Sequence, residues 1–148
     1  MEKITNQIEI RKLDNLEEML LTYPIIKQRY LEMSFEDFRS KISKMIAMND
    51  FKMVGAFLEN EIVGVAGYWM LLMLYCGHYI QVSSFIVDEE KRGFGIGGKI
   101  LSEIEKIGRA AKCEKIALDS YTENKKSHPL YFREGFHIRG FHFMKDIN

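Results

Sequence analysis

Val87-Asp88-Glu89-Glu90-Lys91-Arg92-Gly93-Phe94-Gly95-Ile96-Gly97-Gly98-Lys99 joins two segments of opposite character. Before it lies an apolar, β-rich run, Tyr79 to Val87. After it, Ile100, Ile104, Ile107 and Ala111 recur at helical spacing, so a helix is expected over 100–111. Four glycines and Arg92 therefore sit at a strand-to-helix turn. Glycine lets backbone approach a ligand without a Cβ in the way. A helix N-terminus presents unpaired N–H groups and a partial positive charge. Together these make a cradle for an anion, phosphate above all. A merely flexible loop would also use glycines, but it does not account for their place between a buried strand and an amphipathic helix.

Working outward, residues 4–12 read as a first strand through Ile4, Ile8 and Ile10. Asp14 with Glu17 three residues on is a helix start that Pro24 disrupts. Ser34-Phe35-Glu36-Asp37 opens a second helix, on which Phe35, Phe38, Ile42 and Met45 share one face. That stripe is core packing, or with Tyr23 and Tyr30 it walls a pocket. Strands are expected over 51–58, 62–75 and 79–87, with turns at 59–61 and 76–78. Three strands with short links make an antiparallel meander. Beyond the glycine stretch come a helix, a strand over 115–121, a short helix over 124–133 and a strand or hairpin over 136–147. Pro129 fits only the first turn of that short helix. The order is β-α-α-β-β-β-α-β-α-β-β, an α/β fold with a mixed sheet and a strand–helix–strand crossover.

A chain of 148 residues makes one domain, 1–148, able to bury roughly 68–70% of its unfolded surface. The 21 basic and 21 acidic residues cancel, which argues against nucleic acid or an anionic membrane as the main partner. Cys76 and Cys113 have neither metal nor redox spacing and read as buried, reduced thiols. No signal peptide is visible, and the apolar run 62–77 is too short for a membrane span of about 20 residues. A cytoplasmic location is expected.

The glycine stretch fits three phosphate motifs. Gly93-x-x-x-x-Gly98-Lys99 is most of a Walker A loop, but Ile100 stands where Ser or Thr must give magnesium a hydroxyl. Gly93-x-Gly95-x-x-Gly98, with Asp119 about 20 residues on, fits the dinucleotide fingerprint. Its context is wrong: five residues separate Val87 from Gly93, and a meander precedes it. The third match has two parts. Arg92-x-x-Gly95-x-Gly97 is followed downstream by Asn124-x-x-Ser127-x-x-Leu130-Tyr131-x-x-x-Gly135-Phe136. In that order and at that separation, they resemble the pyrophosphate loop and late helix of the GNAT superfamily of acyl-CoA-dependent N-acetyltransferases.

The resemblance implies a GNAT-like fold, its mostly antiparallel sheet splayed between the fourth and fifth strands. It implies acetyl-CoA as cosubstrate, no metal, and direct transfer to a primary amine in a ternary complex. Backbone N–H groups of Arg92, Gly93, Phe94, Gly95, Ile96, Gly97 and Gly98 would hold the pyrophosphate, with the Arg92 and Lys99 side chains at the periphery. Phe85, Ile86 and Val87 would pair with pantetheine and hold a developing oxyanion. Tyr131 takes the general-acid position, and its alternative is a packed core tyrosine. Asn124, two helical turns earlier, would bond the pantetheine arm. Family members are often dimers, and the apolar third strand is a surface a homodimer could use; the residues leave this open.

An ammonium is not a nucleophile, so a proton must leave. Many relatives carry an acid where this chain has Ser83 and Ser84. Neither serine is a base without activation. Ordered water, His78, His128 or Asp119 are the alternatives, and His128 could equally bond backbone at a helix start. His137 and His142 read as strand residues. The missing acids also weaken the case for a polyamine. A small-molecule amine, a peptide N-terminus and a lysine side chain stay open as acceptors. A different class of function is a non-catalytic acyl-CoA-binding sensor or interaction module, which binds CoA without turnover.

Overall fold

The computed structural model describes residues 2–148, which form two compact units, the first ending at Leu118 and the second spanning Asp119–Asn148. In the first unit the element order is α1 (Glu2–Gln7), β1 (Glu9–Leu13), α2 (Leu16–Leu20), α3 (Tyr23–Arg29), α4 (Phe35–Asn49), β2 (Lys52–Leu58), β3 (Glu61–Met73), β4 (Gly77–Val87), α5 (Ile96–Ala110) and β5 (Lys115–Leu118). The five strands lie in sequence order in one sheet. The β1–β4 pairings are antiparallel, and β5 joins β4 in parallel after the α5 crossover. The fold is α/β with a mixed sheet, as the sequence indicates.

Local chemistry sets most boundaries. Residues 4–7 are helical, so the expected first strand starts only at Glu9. Asn15, one residue later than expected, caps α2: its Oδ1 accepts from the Glu18 N–H at 2.9 Å. The Glu18 carboxylate accepts in return from the Asp14 N–H. This resembles a capping box with its return bond shifted to the residue before the N-cap. Pro24 does not end a helix but begins α3, in the first turn where its missing N–H costs nothing. Ser34 caps α4 as expected, accepting from the Asp37 N–H at 3.1 Å. The β2–β3 hairpin turns through Glu59 and Asn60, both with positive φ, 50° and 67°.

The sheet is covered on both faces. Against one, α5 lays Ile96, Ile100, Ile104 and Ile107 on Val54, Ala56, Ile80 and Val82. Gly64 allows this approach, because a Cβ there would stand 2.9 Å from the Ile100 Cδ1. Against the other, α2–α4 pack Met19, Ile25, Phe38 and Ile42 on Phe51, Met53, Val65 and Ile86. β2 is accordingly buried through its whole interior. Ile104 is fully buried between α5 and the sheet. Ile104→Ala is expected to cost about 2–5 kcal/mol of stability, read as a lower urea midpoint at unchanged m-value.

The second unit holds one helix, α6 (His128–Arg133). The strand expected over 115–121 stops at Leu118. The strand or hairpin expected over 136–147 is not formed: no residue after Arg133 is in a strand, and Ile138, Phe141, Phe143, Met144 and Ile147 are exposed. A strand exists only as part of a ladder, and residues 119–148 supply no second strand to pair with.

Candidate active site

β4 carries the first half of the site. Opposite β3, Gly67 pairs with Ser83 and Val65 with Ile86, so Ser84 and Phe85 together face Ala66. This is a β-bulge, and Ser84 adopts φ 49°, a left-handed conformation uncommon for a residue with a side chain. The parallel ladder to β5 runs only from Tyr79 to Val82. Phe85, Ile86 and Val87 thus lie where β4 continues past its last pairing with β5. Ser83 Oγ is buried and has no hydrogen-bond partner among the described residues.

The glycine loop carries the second half. After β4, Glu89–Lys91 form one turn of 3-10 helix, capped by the Asp88 carboxylate on the Glu90 N–H. Arg92 is extended and exposed. Gly93 and Gly95 adopt φ 89° and 77°, and nothing would meet a Cβ at Gly93 within 4 Å. The helix begins at Ile96, four residues before the expected start, so Gly97 and Gly98 lie in its first turn. Its N-cap is Gly95, which has no side chain to occupy the first N–H groups. The N–H groups of Ile96, Gly97 and Gly98 precede the first helical bond, from the Lys99 N–H to the Gly95 carbonyl at 3.2 Å. A diphosphate fits such a set of donors. Phe94 packs its ring against the α5 core and anchors the loop from within.

Three further side chains tie this region together through contacts with distant segments, which no local pattern reports. Gln28 of α3 donates to the Asp88 carboxylate at 3.2 Å and accepts from the Glu89 N–H at 3.1 Å. The Thr5 hydroxyl donates to the Phe94 carbonyl at 2.5 Å. Lys99 does not reach out to the periphery of the cradle. Its ammonium donates to the Thr5 and Ile8 carbonyls, at 2.6 and 3.1 Å, at the C-terminal end of α1. Lys99→Met is therefore expected to lower the melting temperature by several degrees while changing acetyl-CoA affinity less than threefold, by scanning calorimetry and titration.

A cavity of ≈ 200 Å³ opens beside the bulge. Its walls include Ile26, Phe38, Ile42 and Phe51, and its polar groups come from Tyr30, Lys41 and Ser84. The Tyr30 hydroxyl stands 3.4 Å from Ser84 Oγ. The helix stripe expected as core or pocket wall is both: Phe38 and Ile42 are buried and line the cavity, whereas Phe35 is exposed. Tyr23 braces it, donating to the Met33 carbonyl at 2.8 Å and meeting Phe38 ring to ring at 5.6 Å. Tyr68 faces α5 instead, where burial pushes its phenol up to about 12.

The proposed bases have other surroundings. His78 is the second residue of β4, six residues from Ser84, roughly 20 Å along an extended strand. In the second unit, His128 Nε2 lies 3.1 Å from the Tyr121 carbonyl and 3.2 Å from Ser120 Oγ, the backbone-bonding alternative. Asp119 stands 3.4 Å from His142 Nδ1. Tyr131 is half-buried on α6, and its ring meets Phe136 edge-on at 6.2 Å. Asn124 is not on that helix, because α6 starts at His128; it forms a turn in which its carbonyl accepts from the Ser127 N–H. Cys76 and Cys113 are free and half-buried rather than fully buried. No group of three His, Cys, Asp or Glu is placed to hold a metal among the described residues. No helix among them is long and apolar enough to cross a membrane.

Comparison with known proteins agrees with this geometry. The sequence profile of the acetyltransferase (GNAT) family matches residues 13–136. The N-acetyltransferase YhdJ of Bacillus subtilis (strain 168) is 20% identical over 141 residues, 95% of this chain and 99% of its own. The spermine/spermidine N(1)-acetyltransferase of the same strain is 30% identical over 94 residues, 61% of this chain and 62% of its own. An aminoglycoside acetyltransferase from an uncultured soil metagenomic sample superposes with a TM-score of 0.83 at 19% identity, covering 98% of this chain and 99% of its own. An aminoglycoside N-acetyltransferase in complex with CoA superposes with a TM-score of 0.78 at 17% identity, covering 95% of each chain. With the family profile spanning most of the chain, the bulge and the glycine cradle included, this protein belongs to the GNAT family of acetyltransferases.

Proposed function

We propose that this enzyme transfers an acetyl group from acetyl-CoA to a primary amine by direct attack in a ternary complex. One observation carries the reading: the Ser84 bulge, where β4 continues past its pairing with β5, is followed on the same chain by an α5 N-terminus capped by Gly95, with no side chain bonded to its first N–H groups. The thioester supplies the acetyl group and a thiolate leaving group. Backbone N–H groups of Arg92 to Gly98 hold the pyrophosphate. Phe85, Ile86 and Val87 pair with pantetheine, and an N–H there takes up negative charge developing on the carbonyl oxygen, typically worth about 3–4 kcal/mol. Tyr131 protonates the departing thiolate, and Asn124 contributes to the pantetheine arm through its turn rather than a helix face. With no carboxylate at Ser83 or Ser84, the ammonium proton leaves through ordered water. Residues 1–148 act as one catalytic domain, a reading supported by a family match that runs across both units. Two free cysteines fit a reducing, cytoplasmic setting.

The test pairs titration calorimetry with product analysis. Saturable acetyl-CoA binding at micromolar concentration and acetylated product from at least one amine are expected. No binding up to high micromolar concentration would overturn the proposal. Binding without product over a broad amine panel would instead make the protein an acyl-CoA sensor.

A further inference from the structure

We infer that the acceptor is a small primary amine bearing one ring-sized apolar group, of the arylalkylamine kind, and not a polyamine. This deepens the proposed function and rests on it. The cavity beside Ser84 is where an amine could approach the bulge, and its volume is ≈ 200 Å³. A cavity of about 150 Å³ lined by Leu, Ile and Phe holds benzene. The space here therefore suits one six-membered ring with a short linker to the amine.

The lining chemistry points the same way. Phe38, Ile42 and Phe51 are buried and apolar, with Met33 and Met45 as adaptable sulfur-bearing walls. No carboxylate is among the described residues that line the cavity. The charged group there is Lys41, paired with Asp37 at 3.0 Å, so the lining offers a bound cation no counter-charge of its own. The β4 residue among those lining the cavity is Ser84, which brings a hydroxyl and no charge. A polyamine would have to strip water from one or two further ammonium groups without a counter-charge, which is costly. A neighbouring wider depression does contain Glu32 and Asp37. Asp37 is engaged by Lys41 and Glu32 is exposed to solvent, where a single carboxylate holds a cation only weakly. A monoamine with an apolar body buries its ring against Phe38 and Phe51 and leaves only the reacting nitrogen near Ser84 and Tyr30.

The experiment measures kcat/KM for benzylamine, 2-phenylethylamine and spermidine at saturating acetyl-CoA, beside the acetyl-CoA Kd by calorimetry. An aryl amine at least tenfold better than spermidine is expected. Met45→Glu, which puts a carboxylate on the half-buried wall, should lower the aryl-amine value at least tenfold with acetyl-CoA affinity within twofold. If that variant no longer binds acetyl-CoA, the half-buried Met33→Glu carries the same expectation. Spermidine equal to or better than the aryl amines, bound acetyl-CoA with no aryl-amine product, or wall variants without effect would each overturn the inference. Absence of acetyl-CoA binding by the unaltered protein would overturn the proposed function instead.

Discussion

Tyr131→Phe is expected to lower kcat by about 10²-fold while leaving the acetyl-CoA Kd within twofold. General acid catalysis contributes roughly 10²–10⁴-fold. The leaving thiolate has a conjugate acid of pKa about 8.5, so expulsion at neutral pH gains from a proton donor. A phenol, ordinarily of pKa about 10, remains protonated there and able to give one. The substitution removes only the hydroxyl. The ring contact with Phe136 at 6.2 Å and Pro129 in the first turn of the short helix are left in place, and a melting temperature taken beside the kinetics reads any loss of packing. Steady-state kinetics beside titration separates the roles. Weaker acetyl-CoA binding at unchanged kcat would make Tyr131 a binding residue. No change in either would make it a packing residue.

Gly95→Val is expected to weaken acetyl-CoA binding at least tenfold, read by calorimetry, a change of about 1.4 kcal/mol. Gly95 adopts φ 77° as the N-cap of α5. A left-handed conformation costs a side-chain-bearing residue roughly 1–2 kcal/mol, and a β-branched one finds it least accessible. Space is not the obstacle, since a Cβ would stand 3.7 Å from the Thr5 Cγ2, an ordinary contact. The backbone is: to relieve φ, the loop must turn, and the N–H groups of Ile96, Gly97 and Gly98 turn with it. The melting temperature should fall by only a few degrees, because the loop is an exposed connection rather than core. Gly93→Ala, at φ 89° with open space around it, should show the same sign and a smaller effect.

The meander, the crossover helix and the glycine cradle were legible because each rests on local pattern. Apolar runs between turn residues gave β2 to β4, and the isoleucine spacing gave α5. Where local signals compete, boundaries moved. Gly97 and Gly98 are poor helix formers, yet the buried Ile96 and Ile100 on the sheet draw both into α5. Ile4 fits a strand pattern, yet residues 2–7 form a helix whose end Lys99 caps. That capping is a contact across 94 residues, and no spacing rule reports it. The splay of β4 from β5 was expected only from the family resemblance, and the bulge at Ser84 was not legible, since neither Ser83 nor Ser84 advertises a positive φ. Alternation over 136–147 reads as a strand, but alternation names a face and not a partner, and no ladder forms there. The cavity was half legible: helix α4 displayed its lining stripe, while the approach of Tyr30 to Ser84, 54 residues away, was not encoded in any local pattern.

The most direct measurement is a crystal structure of the protein with CoA. Pyrophosphate oxygens are expected to accept hydrogen bonds, about 2.7–3.2 Å long, from backbone N–H groups between Arg92 and Gly98. The pantetheine arm is expected to pair with Phe85 to Val87. A pyrophosphate bound away from the α5 N-terminus, or a pantetheine arm that bypasses the segment after the Ser84 bulge, would contradict this binding mode.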